Sequence, residues 1–210
     1  MINNLNKYNC IGILGGTFNP VHKGHTMLVE EVIEQFPDIE KLLLMPNNLP
    51  AYKDTDHIID SQHRLNMLRL VSAQIPKSCV SDMEIARGGT TYTIDTLKQI
   101  KSIKKDIKIY FIIGADSLFN IKKWRNFEDI FNNCTLIAAK RDCNFDDIIS
   151  YSHKLQIKYP ALKICFLDTH SIDISSSKLR ENIKAGKLDT EFMDESIISY
   201  IKENKLYGWT

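Results

Sequence analysis

The sequence predicts an α/β fold, in which helices cover both faces of a doubly wound parallel sheet. Short apolar runs of strand length alternate along the chain with segments that have helical periodicity. The first run, Ile11–Leu14, is long enough for one parallel strand buried on both faces. No internal repeat, low-complexity tract or linker interrupts the order. Strands that alternate with helices form parallel sheets with right-handed crossovers, so the expected architecture is Rossmann-like.

The composition is that of an ordinary globular protein and predicts one domain over residues 1–210. Hydrophobic residues make up 43% of the chain and charged residues 25%. A chain of 210 residues can bury a core without disulfides or metals. The formal net charge is +1, so we expect no broad attraction to nucleic acid or to a membrane surface.

The cysteines and the N-terminus predict a cytoplasmic protein. The five cysteines include no CxxC pair, and Cys10, Cys134 and Cys165 lie in or beside apolar runs. This usage fits a reducing compartment. The N-terminus has neither the basic nor the apolar segment of a signal peptide. No run approaches the ~20 apolar residues that span a membrane.

The elements of the first third follow from apolar spacing and turn residues. The first strand precedes a predicted helix, and a second strand is predicted over Lys41–Met45. Residues 47–60 are polar and turn-rich, and a loop of this length suggests a function. Asp60 or Ser61 is expected to cap the helix that follows.

The middle of the chain contains the strongest strand pattern. Weak alternation over Cys79–Ile85 predicts a strand, and Arg87–Gly89 predicts a turn. Thr93 is expected to cap the next helix. The apolar run Ile107–Ile113 is the clearest strand of the chain, and Gly114 ends it.

The last third repeats the alternation and ends in two helices. Gly186 is expected to terminate the first of these helices in the manner of a C-cap. In chain order, the predicted elements are a strand at Thr135–Ala139, a helix at 146–159, a strand at Ile164–Leu167, a helix opened by Ser175 or Ser176, and a helix at roughly Asp194–Glu203.

Two glycines and two histidines after the first strand predict a phosphate site. Gly15 and Gly16 provide a backbone without Cβ atoms that can adopt unusual φ/ψ angles and let a ligand approach. His22 and His25 fall near a helix N-terminus, where N–H groups and the positive dipole end favour an anion. The alternatives are a plain turn with structural histidines, or a zinc pair that lacks an obvious third ligand.

Other candidates follow later strands or open a later helix. In such folds ligands bind at the carboxyl ends of strands, which places the loops after Leu14, Met45 and Ile113 around one crevice. Three serines at a helix start with an arginine one turn later predict a second anion site. The simpler alternatives are a turn for Asn47 and Asn48, a core residue for Trp124 and N-caps for the serines. These candidates are Asn47, Asn48, Lys53, Gly114, Asp116, Trp124, Ser175, Ser176, Ser177 and Arg180.

As a set, these motifs resemble a known family. The segment Gly15–His25, GGTFNPVHKGH, resembles the signature of nucleotidyltransferases that share an HxGH motif with class I aminoacyl-tRNA synthetases. The strings PNNLPAYK, TYTIDTL, FIIGADSL and ISSSKLR, together with Trp124, resemble bacterial nicotinate-mononucleotide adenylyltransferases over nearly the whole chain. Asn19, where many relatives have Asp, and Tyr52, where many have His, depart from this pattern.

The resemblance implies a single nucleotidyltransferase domain over residues 1–210 that uses ATP and nicotinate mononucleotide. AMP would pass from ATP to the mononucleotide in NAD biosynthesis, with Mg²⁺ carried on ATP and no metal ligands from the protein. The implied catalytic residues are His22, His25 and Arg180. The implied ATP-binding residues are Gly15, Gly16, Thr17, Phe18, His22, His25, Gly114, Asp116, Ser175, Ser176, Ser177 and Arg180. The implied nicotinate-nucleotide-binding residues are Asn47, Lys53, Thr93 and Trp124.

The reaction makes chemical sense of these residue types. A phosphate oxygen of the acceptor is already ionised at neutral pH, so no general base is needed. The requirement is to hold two anions in line and to stabilise charge as pyrophosphate leaves. The stretch GGTTYT contains no Asp or Glu, so it offers donors to a nicotinate carboxylate and no acceptor that would favour an amide.

Three other functions stay open from the sequence. The first is a sister transferase that uses nicotinamide mononucleotide, phosphopantetheine or a cytidylyl donor. The second is a catalytically silent nucleotide sensor, against which His22, His25 and Arg180 argue. The third is a zinc hydrolase built on the histidine pair. The oligomeric state is also open, and a homo-oligomer is compatible with the sequence.

Overall fold

The structure, a computed structural model, describes residues 2–52, 55–139, 145–169 and 174–210. Within these ranges, six strands form one parallel sheet and two short strands pair separately. The large sheet contains β1 (Cys10–Gly16), β2 (Lys41–Pro46), β4 (Ser78–Val80), β6 (Lys108–Gly114), β7 (Thr135–Ala139) and β8 (Lys163–Leu167); the short strands are β3 (Leu49–Pro50) and β5 (Thr90–Thr91). The helices are α1 (Lys23–Gln35), α2 (Ser61–Ser72), α3 (Met83–Arg87), α4 (Thr93–Ile103), α5 (Ala115–Phe119), α6 (Phe127–Asn133), α7 (Phe145–Lys158), α8 (Ser176–Lys184) and α9 (Glu195–Glu203).

The large sheet has the strand order β4-β2-β1-β6-β7-β8, and all neighbouring strands are parallel. The chain first extends the sheet from β1 through β2 to β4, and then builds the other half from β6 onward. The order therefore reverses at β1, and the crevice at its carboxyl end is the expected ligand site. There, Gly16 pairs with Pro46 and Leu14 with Ile112. The prediction of a doubly wound, Rossmann-like sheet is confirmed.

Helices cover both faces of the sheet because β1 is apolar on both sides. Leu14 belongs to a cluster that includes buried residues of α1, α2, α8 and α9. Ile11 and Ile13 belong to a second cluster, with α4 to α7, and both are 0% exposed. A parallel strand with continuous apolar residues requires such a covering on each side. Among the described helices, none combines the length and apolar character needed to cross a bilayer.

Several predicted helix ends are confirmed by their caps. The Asp60 carboxylate accepts a hydrogen bond from the Gln62 N–H at 2.7 Å at the start of α2. Ser175 Oγ accepts from the Lys178 N–H at 3.2 Å at the start of α8. Gly186, beyond the end of α8, has a φ of 74°, which favours glycine.

Two element predictions are wrong in the segment between β4 and α4. The strand expected at Cys79–Ile85 ends at Val80, and Met83–Arg87 forms the short helix α3. The apolar residues of so short a segment fit either period, so the pattern could not separate strand from helix. Thr93 is not the cap of α4 but its first residue, because Tyr92 occupies the N-cap position.

The glycines after the first strand do not adopt the unusual φ/ψ angles that the sequence allowed them. Gly15 and Gly16 are the last residues of β1, and neither has a positive φ. A Cβ on Gly16 would lie 3.1 Å from the Phe18 ring, so this glycine provides room for a packed ring. Positive φ angles occur instead at Gly88 and Gly89, +72° and +67°, where the chain turns from α3 into β5.

Candidate active site

A cavity of about 590 Å³ opens at the carboxyl ends of β1, β2 and β6. This is where the strand order reverses, as the sequence predicted for the crevice. Most of the predicted site residues meet there although they are far apart in the chain. Those on its wall are Gly15, Gly16, Thr17, His25, Asn47, Thr93, Gly114, Asp116 and Trp124.

The other predicted site residues that the structure describes are not part of this wall. Phe18 and His22 are buried behind it, with 2% and 4% of their surface exposed. Ser176 and Arg180 bond to the loop before α1. Ser177 accepts a hydrogen bond from Arg180, and Ser175 caps α8. Lys53 lies outside the described residues.

The two histidines stack at the start of α1. Their ring centroids are 3.8 Å apart, and the rings are inclined by 34°. The main-chain N–H of His22 donates to Nδ1 of His25 at 3.3 Å. Because Nδ1 accepts this hydrogen bond, the proton of a neutral His25 ring lies on Nε2. His25 therefore brings a ring with an N–H donor to the cavity that it lines.

Gly24 explains the spacing of the HxGH motif. A Cβ at this position would lie 3.2 Å from Nδ1 of His22 and 3.3 Å from Cγ2 of Ile174. Any larger residue would push against the His22 ring and the Ile174 side chain. Phe18 supports the pair from another side, because its ring meets the His25 ring edge-on at 4.9 Å.

Arg64 is a residue of this region that sequence reasoning missed. It lies on α2 with 2% of its surface exposed, yet its guanidinium reaches the loops after β1 and β2. Nη1 donates to the main-chain oxygens of Thr17 at 3.0 Å and of Asn47 at 2.8 Å. The Asn47 side chain in turn donates to Oγ1 of Thr17 at 3.3 Å. Arg64 therefore connects the loop after β1 to the loop after β2 by hydrogen bonds.

The motif at α8 is fastened to the loop that precedes the histidines. Nη1 of Arg180 donates to the main-chain oxygen of Asn19 at 2.8 Å, and Nη2 donates to Oγ of Ser177 at 3.2 Å. Oγ of Ser176 donates to the Pro20 oxygen at 2.9 Å. The guanidinium carries further N–H donors beyond these two bonds, so contact with a phosphate is chemically open to it.

Asn19 has a structural role that the sequence left open. It is 2% exposed, its Nδ2 donates to the His57 oxygen at 3.0 Å, and its Oδ1 accepts from the Ile59 N–H at 3.3 Å. This pair of bonds needs an amide, which both donates and accepts, whereas an ionised Asp could only accept. Asn19 therefore ties the loop 55–59 to the loop before α1.

The opposite side of the cavity is formed by β6 and the segment after it. Gly114 is the N-cap of α5, and a Cβ there would meet nothing within 4 Å, which leaves open space for a ligand. Asp116 lies in the first turn of α5 and lines the cavity. Trp124 also lines it, and its indole meets the Phe111 ring edge-on at 6.3 Å. The alternative of a core tryptophan is partly right, since this contact fixes the indole against the sheet.

A small sheet, unpredicted from the sequence, joins the loop after β2 to the glycine turn. β3 pairs with β5, and Asn48 donates from its main chain to Oγ1 of Thr91 at 3.0 Å and from its side chain to the Gly89 oxygen at 2.9 Å. Strands of two residues are too short for any periodicity to be visible. Asn48 therefore joins the loop after β2 to the segment that leads into α4.

Tyr52 and Arg125 meet at the mouth of the cavity. The main-chain N–H of Arg125 donates to the Tyr52 hydroxyl at 3.0 Å. The Arg125 guanidinium lies 4.7 Å from the centroid of the Tyr92 ring and 3.4 Å from the Asp95 carboxylate. Tyr52 is 59% exposed, so it bridges two loops at the surface.

Glu84 is an acidic residue of the cavity that the sequence analysis, which considered the GGTTYT stretch, did not identify. This glutamate of α3 is 5% exposed and lines the cavity, although it lies outside the GGTTYT stretch. Burial raises the pKa of its carboxyl. The hydrogen bond that the Thr96 hydroxyl donates to Oε1 at 2.6 Å lowers this pKa and offsets part of the effect. Nη2 of Arg87 donates to the same hydroxyl at 2.9 Å, so the carboxylate is connected to a cation through Thr96.

The described residues do not gather three or more His, Cys, Asp or Glu side chains in a group suited to a metal ion. The cavity wall carries two carboxylates, those of Glu84 and Asp116, and Glu84 is already bonded to Thr96. A divalent cation in this crevice would therefore depend on oxygen ligands from a bound phosphate compound.

Comparisons with known proteins show what this chain is similar to. The family model described as cytidylyltransferase-like matches residues 13–182. A "Probable nicotinate-nucleotide adenylyltransferase" of Lachnoclostridium phytofermentans is 39% identical over 198 residues, which cover 94% of this chain and 98% of the relative. A protein of the same name from Lactococcus lactis is 37% identical over 94% of each chain. Among solved structures, nicotinic acid mononucleotide adenylyltransferase of Plasmodium falciparum, complexed with NaAD, has a TM-score of 0.78 at 22% identity, with 97% and 99% coverage. At that identity the likeness supports the fold.

Proposed function

The chain belongs to the cytidylyltransferase-like family, and within it to the nicotinate-nucleotide adenylyltransferases, and on this premise we propose the reaction that it catalyses. It transfers the AMP moiety of ATP to nicotinate mononucleotide, and forms nicotinate adenine dinucleotide (deamido-NAD) and pyrophosphate in NAD biosynthesis. The observation that carries the proposal is the position of His25. Its ring lines the same cavity as Trp124, so a phosphate site and an aromatic face lie around one crevice.

The proposed reaction is an in-line displacement at the α-phosphorus of ATP. An ionised phosphate oxygen of the acceptor attacks, the bond to the β,γ-pyrophosphate breaks, and the leaving oxygen takes the charge. No proton has to be removed from the nucleophile, so the site needs alignment and positive charge more than a base. The N–H donor of His25 and the N-terminus of α1 supply the alignment and the positive charge at the end of β1.

The proposed substrate positions follow the two sides of the crevice. ATP lies over β1 and β6, with its adenosine toward Gly114 and Asp116 and its phosphates toward Thr17, the histidines and Arg180. Nicotinate mononucleotide lies toward Asn47, Thr93 and Trp124. The backbone around Phe18, the three serines Ser175–Ser177, and Lys53 belong to this proposal as predicted contacts.

Mg²⁺ is proposed to arrive with ATP rather than to reside in the protein. Mg²⁺ keeps several waters and is commonly held by one or two carboxylates together with substrate phosphates. The crevice fits that mode. Its described wall carries the carboxylates of Glu84 and Asp116, and the described residues form no group of three or more His, Cys, Asp or Glu side chains. When bound, Mg²⁺ neutralises charge on the leaving pyrophosphate.

We further propose that residues 1–210 act as one domain in the cytoplasm. Six strands, β1, β2, β4, β6, β7 and β8, form one sheet, and α8 and α9 contribute buried residues to the apolar cluster on one of its faces. The four described cysteines are free thiols, as a reducing compartment allows. With a net charge of +1, the chain is proposed to have no nucleic-acid or membrane partner.

The acceptor preference tests the substrate assignment. Nicotinate and nicotinamide differ by a carboxylate against an amide, and the Thr93 hydroxyl and the neighbouring N–H groups can donate to the carboxylate. The connection through Thr96 to Arg87 offsets the charge of Glu84. We therefore expect kcat/KM to favour nicotinate mononucleotide by at least about tenfold, which needs only ~1.4 kcal/mol of discrimination. The measurement is a side-by-side determination of kcat/KM for both mononucleotides.

Trp124→Ala serves as the control for that comparison. Stacking on the pyridine ring does not distinguish an acid from an amide, so this variant should weaken both acceptors and leave their ratio unchanged. Equal kcat/KM values for the two acceptors in the unmodified protein, or a preference for the amide, would contradict the assignment of the acceptor while leaving AMP transfer intact.

A further inference from the structure

Arg64 is the largest fully buried side chain among the described residues, and it carries a charge. Burying an unpaired charge is costly, so buried arginines are normally paired with carboxylates. Within the described ranges no ion pair involves Arg64. Its partners are three main-chain oxygens, those of Thr17, Asn47 and Asn48, at 3.0, 2.8 and 3.4 Å.

Two titratable groups have an electrostatic influence on Arg64, and neither forms an ion pair with it. Asp60 is an exposed carboxylate and is engaged in capping α2. Tyr207 is the other titratable group with an electrostatic influence on Arg64. Burial raises the pKa of the Tyr207 phenol, so it stays neutral at physiological pH. Burial also lowers the pKa of the Arg64 guanidinium, but an arginine remains protonated throughout that range.

The position of this charge relates it to the crevice. Thr17 and Asn47 both line the cavity, and Arg64 touches each of them from the side away from it. The guanidinium is therefore separated from the cavity by a single layer of chain. The Thr17–Phe18 peptide is planar and trans, so its C=O and N–H groups point in opposite directions. Because the Thr17 oxygen faces Arg64, the N–H of Phe18 points away from Arg64 and is polarised by it.

We propose that Arg64 is a positioning residue for the triphosphate of ATP, and that its buried charge attracts this anion through the loop that it holds. The inference rests on the proposed function only for the identity of the anion. Charges act over longer distances in a protein interior than in water, and salt screens them less there. Since the described part of the chain gives this charge no carboxylate partner, the anionic nucleotide would balance it on binding.

The test compares two variants that keep hydrogen-bond donors at this position. Arg64→Gln has an amide donor and no charge, whereas Arg64→Lys has donors and the charge. We expect Arg64→Gln to raise the Kd of ATP at least about tenfold and to leave the Kd of adenosine within about threefold. Arg64→Lys should keep both constants within about threefold of the unmodified protein. Calorimetric titration gives both values.

Arg69→Gln is the matched control, because Arg69 is an exposed arginine of the same helix. It removes the same charge at the surface and should not change the Kd of ATP. Equal losses of ATP and adenosine affinity in Arg64→Gln would overturn the proposal and assign Arg64 a purely structural role. An unchanged ATP affinity with a lowered melting temperature would do the same.

Melting curves accompany the titrations, since buried positions are sensitive to substitution. If Arg64→Gln does not fold, Arg64→Lys decides the matter. An unchanged ratio of the Kd of ATP to the Kd of adenosine supports the proposal, and a raised ratio in a folded Arg64→Lys protein overturns it. Failure of both variants to fold would also overturn it, because Arg64 would then be needed for the fold itself. A protein that binds ATP in this way and yet forms no dinucleotide would contradict the proposed function and not the role of Arg64.

Discussion

Replacing His25 or His22 with alanine should lower turnover by about two to three orders of magnitude while the fold survives. Loss of one charge-assisted contact in the transition state costs roughly 2–4 kcal/mol. His25 lines the cavity with a donor nitrogen, and His22 stacks on it with ring centroids 3.8 Å apart. The expected effect of His22 therefore comes through the ring that it supports as well as through any phosphate contact. Steady-state kinetics with saturating ATP and acceptor measure the change.

His153→Ala is the control for these variants, because His153 is an exposed histidine on α7. It should retain full turnover. Melting temperatures near that of the unmodified protein are required of the His22 and His25 variants, so that loss of activity is not loss of fold. Near-normal turnover by both would contradict the assignment of a phosphate site at the start of α1.

Removing the Arg180 side chain should weaken ATP binding or slow transfer, and leave acceptor affinity largely unchanged. A hydrogen bond to a charged group is worth about 1.5–3 kcal/mol, so Arg180→Ala should cost roughly tenfold to a hundredfold in kcat/KM for ATP. Arg180→Lys should also lower kcat/KM for ATP. Its point charge cannot both hold the Asn19 oxygen, 2.8 Å from Nη1, and present the planar fork that suits a phosphate.

Lys184→Ala tests whether the effect is only one of net charge. Lys184 is exposed and ends α8, the helix that Arg180 belongs to. This variant should bind ATP normally. If Arg180→Ala lowers only the affinity for the acceptor, the segment at the start of α8 faces the other substrate, and the proposed placement of the ATP phosphates toward Arg180 is wrong.

The parts of the fold that were predictable are those with long, strongly patterned segments. Ile107–Ile113 could be recognised as a buried strand because every residue but one is apolar or aromatic, and β6 agrees with it to within one residue. Capping residues located α2 and α8, since Asp60 and Ser175 bond to their own helix starts. Between β4 and α4 the elements are too short for a period, so the strand prediction there failed.

The site was predictable where residues follow strands in sequence motifs. His25, Asn47 and Gly114 come directly after or near predicted strands, and the doubly wound topology brings such loops together. Arg64 and Glu84 could not be found in this way. Both project from helices and belong to no motif of the loops, and a charged residue in a helix is normally solvent-exposed. Only tertiary packing places them at or behind the cavity wall.

The most direct test of AMP transfer is pyrophosphate release with ATP and a panel of acceptors. The panel contains nicotinate mononucleotide, nicotinamide mononucleotide and phosphopantetheine, with CTP as an alternative donor, and mass spectrometry identifies the second product. We expect pyrophosphate and nicotinate adenine dinucleotide in equal amounts from ATP and nicotinate mononucleotide. Binding of ATP without pyrophosphate release with any acceptor, or release without a dinucleotide product, would contradict the account.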